Sequence, residues 1–542
     1  MLEKRATMMR RLVSSFAAFV CAATVFTPAP ARAVEPHVLR WTEGVDIATL
    51  NPLLGSAGSI RDISAFTMAF LVHVNGHGVV EPELIVVTPT QANHGISRDG
   101  KTVTYHLRHG VRWSDGVPFD ADDVAYSLRV VADKNNLIAD RSAYDYIASF
   151  SEPDKYTIVV HLKEPYAPFV ARAFTSAELG CLLPKHILGS STDINKVPYN
   201  SLPVGIGPFR YTSFKRADRI EMEANPFYFR GLPKLHKIVY ENVTDENTIF
   251  TELQTGEVDL WAEIGGVLGA RVKTLPNVAI TLGPSIYVAG TYLNLHTPAL
   301  ADVVVRRALR LATDRKFLFE KVAYGIGTLS ESVVAPASDG FADLPRVPFD
   351  PSAANKLLDV AGWVRGSDGV RAKGGVRLSL TVALPAGYPP SAQTAELLRE
   401  YWEKIGVRLT TKSYASAQFF APAGDGGILQ TSKFDVALFS YAGSVFADIR
   451  DGYGCAYRAP QGFNSSQYCN PTVDAEVARY AQTYDARKRA ALAASFQKRV
   501  DDDVPTIVTY VRSFVYAHTP RLVGYHPTAF GYDGIMTLDV TP

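Results

Sequence analysis

The span 239–260 places a strand, a helix and a second strand in succession, and that order constrains the fold more than any other feature of the chain. Val239 to Val243 reads as a β-strand, Asp245 to Thr255 as a helix stopped by Gly256, and Val258-Asp259-Leu260 as the start of a buried strand. Two strands joined through a helix run parallel, because a crossover of that length carries the chain back to its starting edge. The same order recurs downstream. Leu378 to Leu384 is a strand, Ser391 to Ile405 a helix ended by Gly406, Val407 to Thr411 a strand, and Phe434 to Phe439 another. An α/β architecture with parallel sheet is therefore expected in two separate regions.

Other segments fill in around these. Val38 to Trp41, Thr102 to Leu107 and Tyr156 to Leu162 alternate apolar and polar residues as half-buried strands do, and Asp122 to Ala132 is helical. Tyr287 to Leu295 is an apolar strand, followed by helices at Asp302 to Thr313 and Pro351 to Ala361. A long helix is predicted from Val473 to Val500 and a strand from Val504 to Tyr516. At 542 residues, 47% hydrophobic and 20% charged, the chain is long enough for two or three domains with real cores.

The charges are nearly balanced, at 55 basic and 54 acidic residues, and no dense basic run follows the first few positions, so no nucleic-acid partner is implied. Arg10 and Arg11, the apolar run Leu12 to Val25 and Ala31-Arg32-Ala33 have the three parts of a cleavable export signal over residues 1–33. Beyond them remain 50 basic and 53 acidic residues, a slightly acidic protein. Export permits disulfides, and Cys455 and Cys469 flank a Gly-, Ser- and Asn-rich loop; they form either one disulfide or two unpaired thiols.

Catalytic and cofactor signatures fail one by one. Gly205-Ile206-Gly207 continues into Pro208-Phe209-Arg210, with no third glycine and no helix start to hold a pyrophosphate, so it reads as a turn before a strand. There is no GxxxxGK[ST], HExxH or GxSxG. Ser495 to Lys498 matches SxxK only by chance, within a helix. His73 and His77 are separated by Asn75-Gly76, which breaks the helix that would align them as ligands. No catalytic residue, metal site or cofactor is expected.

The densest cluster of polar residues, His106 to Val124, also resolves into local structure. Gly110 allows a tight turn, Ser114-Asp115-Gly116 is a turn signal, and Asp120 sits at the N-cap of a helix with Asp122 and Asp123 in its first turn. There the carboxylates meet unpaired N–H groups and the positive end of the helix dipole. Each aspartate has a structural role without catalysis.

The run LRHGVRWSDGVPFDADDVAYSL, residues 107–128, resembles the signature segment of the large extracytoplasmic solute-binding proteins of ABC importers, family 5, which includes dipeptide-, oligopeptide- and nickel-binding members. GIGPFRYTSF, NPFYFRGLPKLHKIVY, LQTGEVDL, VRRALRLATDRKFL, FDPSAANKLLDVAGW, AELLREYWEKIGV and DDDVPTIVTYVRS are similar to further segments of that family, in the same order. The resemblance implies a periplasmic-binding-protein-like α/β fold: two α/β lobes joined by hinge strands, with an extra subdomain inserted in the N-terminal lobe. In this chain it implies an N-terminal lobe over 34–283 with the insertion at about 70–195, a second lobe over 284–500, and a return to the first lobe over 501–542.

It also implies a periplasmic monomer that captures a peptide, most simply an oligopeptide, and delivers it to permease subunits in the inner membrane. A sugar, opine or metal-chelate receptor on the same lobes is the alternative, and a secreted hydrolase is the reading from another class. The implied pocket draws on the loop after the first strand, with Gly44, Asn51 and Ser56, and on Tyr388, Tyr441, Gly443, Ser444 and Asp448. Peptide-binding relatives read Trp-x-x-Asp where this chain has Tyr441-Ala442-Gly443-Ser444, so the aromatic is kept and the carboxylate is not. Asp448 or Asp451 could supply the missing charge; both could equally be solvated loop aspartates. The arginine expected before Ser391 is also missing, replaced by Ala386-Gly387-Tyr388.

Overall fold

The computed structural model describes residues 35–542 apart from 56–57, 179 and 190–192; the export signal read at 1–33 lies outside them. An 11-stranded sheet organises the molecule. On one side Val38–Thr42 lies between Lys237–Glu241 and Leu260–Ile264, parallel to both, and the helix Glu246–Thr255 carries the chain from one flanking strand to the other. On the other side Ser379–Pro385 lies parallel to Arg408–Tyr414 and Val436–Ala442, with Pro389–Glu403 as the crossover. Two long antiparallel strands, Ala279–Leu293 and Thr506–His518, join these groups, paired from Ala279 opposite His518 to Tyr292 opposite Thr506 with register shifts after Pro284 and Ala289. The result is two α/β lobes connected by two strands.

A smaller three-stranded sheet, Thr102–His106, Thr157–Leu162 and Ile147–Asp154, belongs to the segment around the Trp-Ser-Asp-Gly turn. Asp120 caps the helix Ala121–Ala132, and Asp123 completes a reciprocal capping box. The buried Asp123 carboxylate also accepts from Trp113 Nε1 at 3.0 Å and from Lys185 N at 3.0 Å. It ties the turn, the helix and the chain near Lys185 into one core around Trp113 and Phe119. Gly205 and Gly207 sit where a Cβ would be 2.1 and 2.5 Å from the backbone of Thr67. The Gly-Ile-Gly turn is therefore set by close backbone approach to a helix end.

Most element boundaries shift by a few residues from the sequence reading, and three of the differences have a visible cause or consequence. The predicted helix 473–500 is two helices, Pro471–Gln482 and Ala486–Asp503, because Asp485 accepts Lys488 N at 2.8 Å and caps a new start. The strand predicted at 239–243 is Lys237–Glu241. The strand predicted from Tyr287 begins at Ala279 and runs through Pro284, which is tolerated because the register shifts between Pro284 and Val288.

Cys455 and Cys469 are joined in a disulfide, and Cys181 is a buried free thiol. Among the described residues no helix is long and apolar enough to cross a membrane.

Candidate functional site

Three cavities lie along the seam where the lobes meet, near the carboxyl ends of the parallel strands, where open α/β sheets place their ligands. The first, about 420 Å³, is an aromatic and apolar chamber built from the second lobe and the connecting strands, including Tyr287, Tyr388, Phe420, Phe439 and Arg512. The second, about 180 Å³, shares Tyr287 with the first. It is lined from one side by Leu53, Arg61, Asp140 and Glu178 and from the other by Gly443. The third, about 340 Å³, holds Tyr146, Tyr166 and Arg172 opposite Asp448, Arg450 and Asp451.

Charged groups concentrate at the second cavity. Arg61, on the helix Gly58–Thr67, points its guanidinium toward Asp62 at 3.5 Å and Glu263 at 3.6 Å. Oxygens of Glu43, Asp62 and Glu263 all lie within 4.8 Å of one another. Burial and then the charge of Asp62 push Glu263 up to about 8. Burial, Asp62 and Glu263 hold Glu43 well above the usual carboxylate range. Burial also raises Asp62, against the pull of Arg61 and of the Tyr532 hydroxyl, which donates to it at 3.0 Å. Burial works to lower the Arg61 pKa, but Asp62 and Glu263 outweigh it and hold the guanidinium above its ordinary value. The trio has the donor set for a cation, and the guanidinium already neutralises part of it.

In the third cavity Asp448 is committed to Arg450. Nε of Arg450 donates to both carboxylate oxygens at 2.9 and 3.1 Å, and Nη2 adds a third, short bond. Nη1 reaches the Tyr146 hydroxyl at 2.5 Å. The guanidinium stands 5.8 Å from the ring centres of Tyr146 and Tyr166, which stack on each other at 4.0 Å. Burial would raise Asp448, yet Arg450 outweighs it and holds the carboxyl below its ordinary value.

The implied site residues separate into distinct placements. Tyr388, 40% exposed, lines the first cavity, and Gly443 lines the second while donating its N–H to Ile286 O at 2.9 Å. Asp448 lines the third as half of an ion pair. Tyr441 lies behind them, packed with Tyr292 and Phe419 and against Gly452. Ser444 closes its own turn, its Oγ donating to Phe446 O at 3.0 Å and accepting from Phe446 N at 3.3 Å. Asn51 is fully buried, accepting from Leu53 N at 3.2 Å and donating to Asn200 at 2.9 Å. Gly44 takes a positive φ in the turn beside Glu43, and Ser56 lies outside the described residues.

Arg61, Glu263, Arg172, Glu178, Arg450 and Arg512 line or charge the seam without having been singled out from the sequence. The available signal was charge embedded in apolar strings, as in Ile60-Arg61-Asp62-Ile63, Val170-Ala171-Arg172-Ala173-Phe174 and Leu260-Trp261-Ala262-Glu263-Ile264.

Comparison with known proteins bears on the fold and the family. Residues 87–457 match the family described as bacterial extracellular solute-binding proteins, family 5 Middle. Protein XP55 of Streptomyces lividans is 29% identical over 488 residues, covering 85% of this chain and 81% of that protein. The oligopeptide-binding protein AppA of Bacillus subtilis is 25% identical over 434 residues, 78% of each chain. The structure of AppA in complex with a nonapeptide superimposes with a TM-score of 0.74 at 23% identity, over 91% of this chain and 96% of that one. The ABC transporter substrate-binding protein CtaP of Listeria monocytogenes superimposes with a TM-score of 0.80 at 23% identity, over 93% of this chain and 99% of that one.

Proposed function

The chain belongs to family 5 of the bacterial extracellular solute-binding proteins, and on that premise we propose that it captures short peptides in the periplasm and delivers them to the permease of an ABC importer. Solute binding in partnership with such a permease is common to the family; the peptide ligand is the narrower reading. The observation that carries it is the chemistry along the seam. An apolar, aromatic chamber of about 420 Å³ opens beside cavities lined by arginines and carboxylates. A peptide offers this combination in one molecule, a side chain for the chamber and charged or hydrogen-bonding groups for the rest.

Capture proceeds by hinge closure. The strands Ala279–Leu293 and Thr506–His518 connect the lobes, and a ligand that touches both favours the closed arrangement by its differential affinity for it. The permease would then read the closed form. No bond needs to be made or broken, so the protein acts as a receptor, not an enzyme. The export signal read at 1–33 accords with a place outside the cytoplasm.

Native mass spectrometry of the protein isolated from its own extracytoplasmic compartment tests the ligand. Co-purified peptides of mixed sequence are the expected result. A single defined sugar or metal chelate would overturn the peptide reading. Cleavage of labelled peptides that tracks with the intact protein and vanishes on one substitution would overturn the receptor reading.

A further inference from the structure

The core beneath the three-stranded sheet draws on both lobes. The helix Ala121–Ala132 ties that sheet to the first lobe. Its Val124, Ala125 and Leu128 pack with Val103, Tyr105 and Ile158 of the sheet, whereas its Tyr126, Val130 and Val131 share a core with Leu39, Trp41 and Ile238. The sheet therefore moves with the first lobe. Yet Ala481, near the end of the helix Pro471–Gln482, is buried in the sheet's own core, and Tyr484 packs against it. Ala167 donates its N–H to Ala481 O at 2.7 Å, and the Tyr484 hydroxyl donates to Gly100 O at 3.1 Å. Gly100 has a φ of +71°, and a Cβ there would lie 2.6 Å from the Tyr484 ring. The ring thus covers a position that only glycine can hold.

The second lobe holds its side of this contact firmly. Ala481 and Tyr484 flank the break between the helices Pro471–Gln482 and Ala486–Asp503. The buried Tyr480 hydroxyl accepts from Ala447 N at 3.0 Å and donates to Asp339 O at 3.1 Å. Val473, Val477 and Phe496 of the two helices pack with Val288, Val508 and Val511 of the connecting strands. Gly100, Ala167, Ala481 and Tyr484 line none of the three cavities along the seam.

We propose that this contact is a brace, which holds the lobes toward the closed arrangement before any ligand arrives and so sets a common factor on the affinity for every ligand. The proposal rests on capture by hinge closure, as read above. Parting the lobes would draw Ala481 out of an apolar core and break both hydrogen bonds, so brace and ligand favour the same state without touching. Where the closed form is a fraction of the free protein, the apparent Kd is the intrinsic one divided by that fraction. Weakening the brace lowers the fraction and scales all affinities alike, whereas loss of a ligand contact changes them unequally.

Small-angle X-ray scattering of the ligand-free protein, with calorimetric titration of trialanine and pentaalanine, tests this in two variants. Tyr484→Ala should enlarge the ligand-free radius of gyration and weaken both peptides by one shared factor, at least about threefold. Tyr484→Phe keeps the ring over Gly100 and loses only its hydrogen bond. It should show the same shifts at smaller size, and it carries the test alone if the alanine variant does not fold. An unchanged ligand-free radius in the folded variants, or factors that differ between the two peptides, overturns the brace and leaves the peptide reading standing. Failure of both peptides to bind the wild type overturns the peptide reading, and the scattering then decides the brace by itself.

Discussion

Replacing Asp123 by alanine should destabilise the first lobe without touching the ligand. Asp123 is 5% exposed, and its carboxylate accepts three N–H groups, from Trp113 Nε1 at 3.0 Å, Lys185 N at 3.0 Å and Asp120 N at 3.3 Å. Hydrogen bonds to a charged group are each worth about 1.5–3 kcal/mol, and each buried donor left behind costs about 1–3 kcal/mol. Against that stands relief of a desolvated carboxylate, since burial raises the Asp123 pKa above its ordinary value. With that offset, and because the three bonds are not additive, a net loss of about 3–5 kcal/mol is expected. Asp123→Asn keeps one acceptor and turns an NH₂ toward the other donors, so it should fall between wild type and alanine. Urea denaturation followed by tryptophan fluorescence, with hydrogen exchange of the Trp113 indole N–H, reads the effect directly. A loss below about 1 kcal/mol would refute the structural role assigned to this carboxylate. A large change in ligand affinity at unchanged stability would refute it as well.

Further outcomes follow from other contacts. Glu263 has a folded pKa of about 8 and Glu178 of about 7, both raised from 4.5 first by burial. The native state then binds more protons than the unfolded one between those values, so stability of the ligand-free protein should fall as pH rises from 5 toward 8, by at most about 1.4 kcal/mol per pH unit per group. Glu263→Gln, which leaves Arg61, Asp62, Glu43 and Arg512 in place around it, should flatten that slope; an unchanged slope in thermal melts across pH would count against it. Reducing the Cys455–Cys469 disulfide, whose partners are 14 residues apart, should cost about 3 kcal/mol, read as a lower urea midpoint. Arg450→Met strands the Asp448 carboxylate, whose side chain is 4% exposed, and should cost about 3–5 kcal/mol. Adding Asp448→Asn should restore most of that loss, and a double variant no better than the single would show that the cation over Tyr146 and Tyr166, not the ion pair, matters most.

The elements legible in the sequence are those decided within a few residues. Asp245 and Gly256 mark both ends of one helix, Asp120 and Asp123 the start of another, and each works through hydrogen bonds to its own first or last turn. The break at Asp485 carried the same signal, but the continuous apolar periodicity on either side of it hid the boundary. The extension of a hinge strand back through Pro284 had no local signal, since it depends on a bulge against Thr506–His518, more than 200 residues away in sequence.

The site follows the same division. The turn Tyr441-Ala442-Gly443-Ser444 could be found by its place after a strand, but which of its atoms face the cavity depends on what packs behind them. Gly452 and Tyr292 take the Tyr441 ring, and Ser444 satisfies itself. Asp448 and Asp451 were equivalent as letters, three residues apart. Arg450 lies between them and grips Asp448, whereas among the described residues no hydrogen bond or ion pair is made by Asp451.

By itself the sequence determined the α/β class, the parallel crossovers and the capped helix after the Trp-Ser-Asp-Gly turn, because helix caps, glycine stops and apolar periodicity act over one or two turns of chain. Only the tertiary structure decided which charges meet. Glu43, Asp62 and Glu263 come from three elements of the first lobe, and Arg172, Glu178 and Asp451 from opposite walls of the seam. Electrostatic balance at a buried point is a sum over neighbours in space, and no local pattern in the chain encodes that sum.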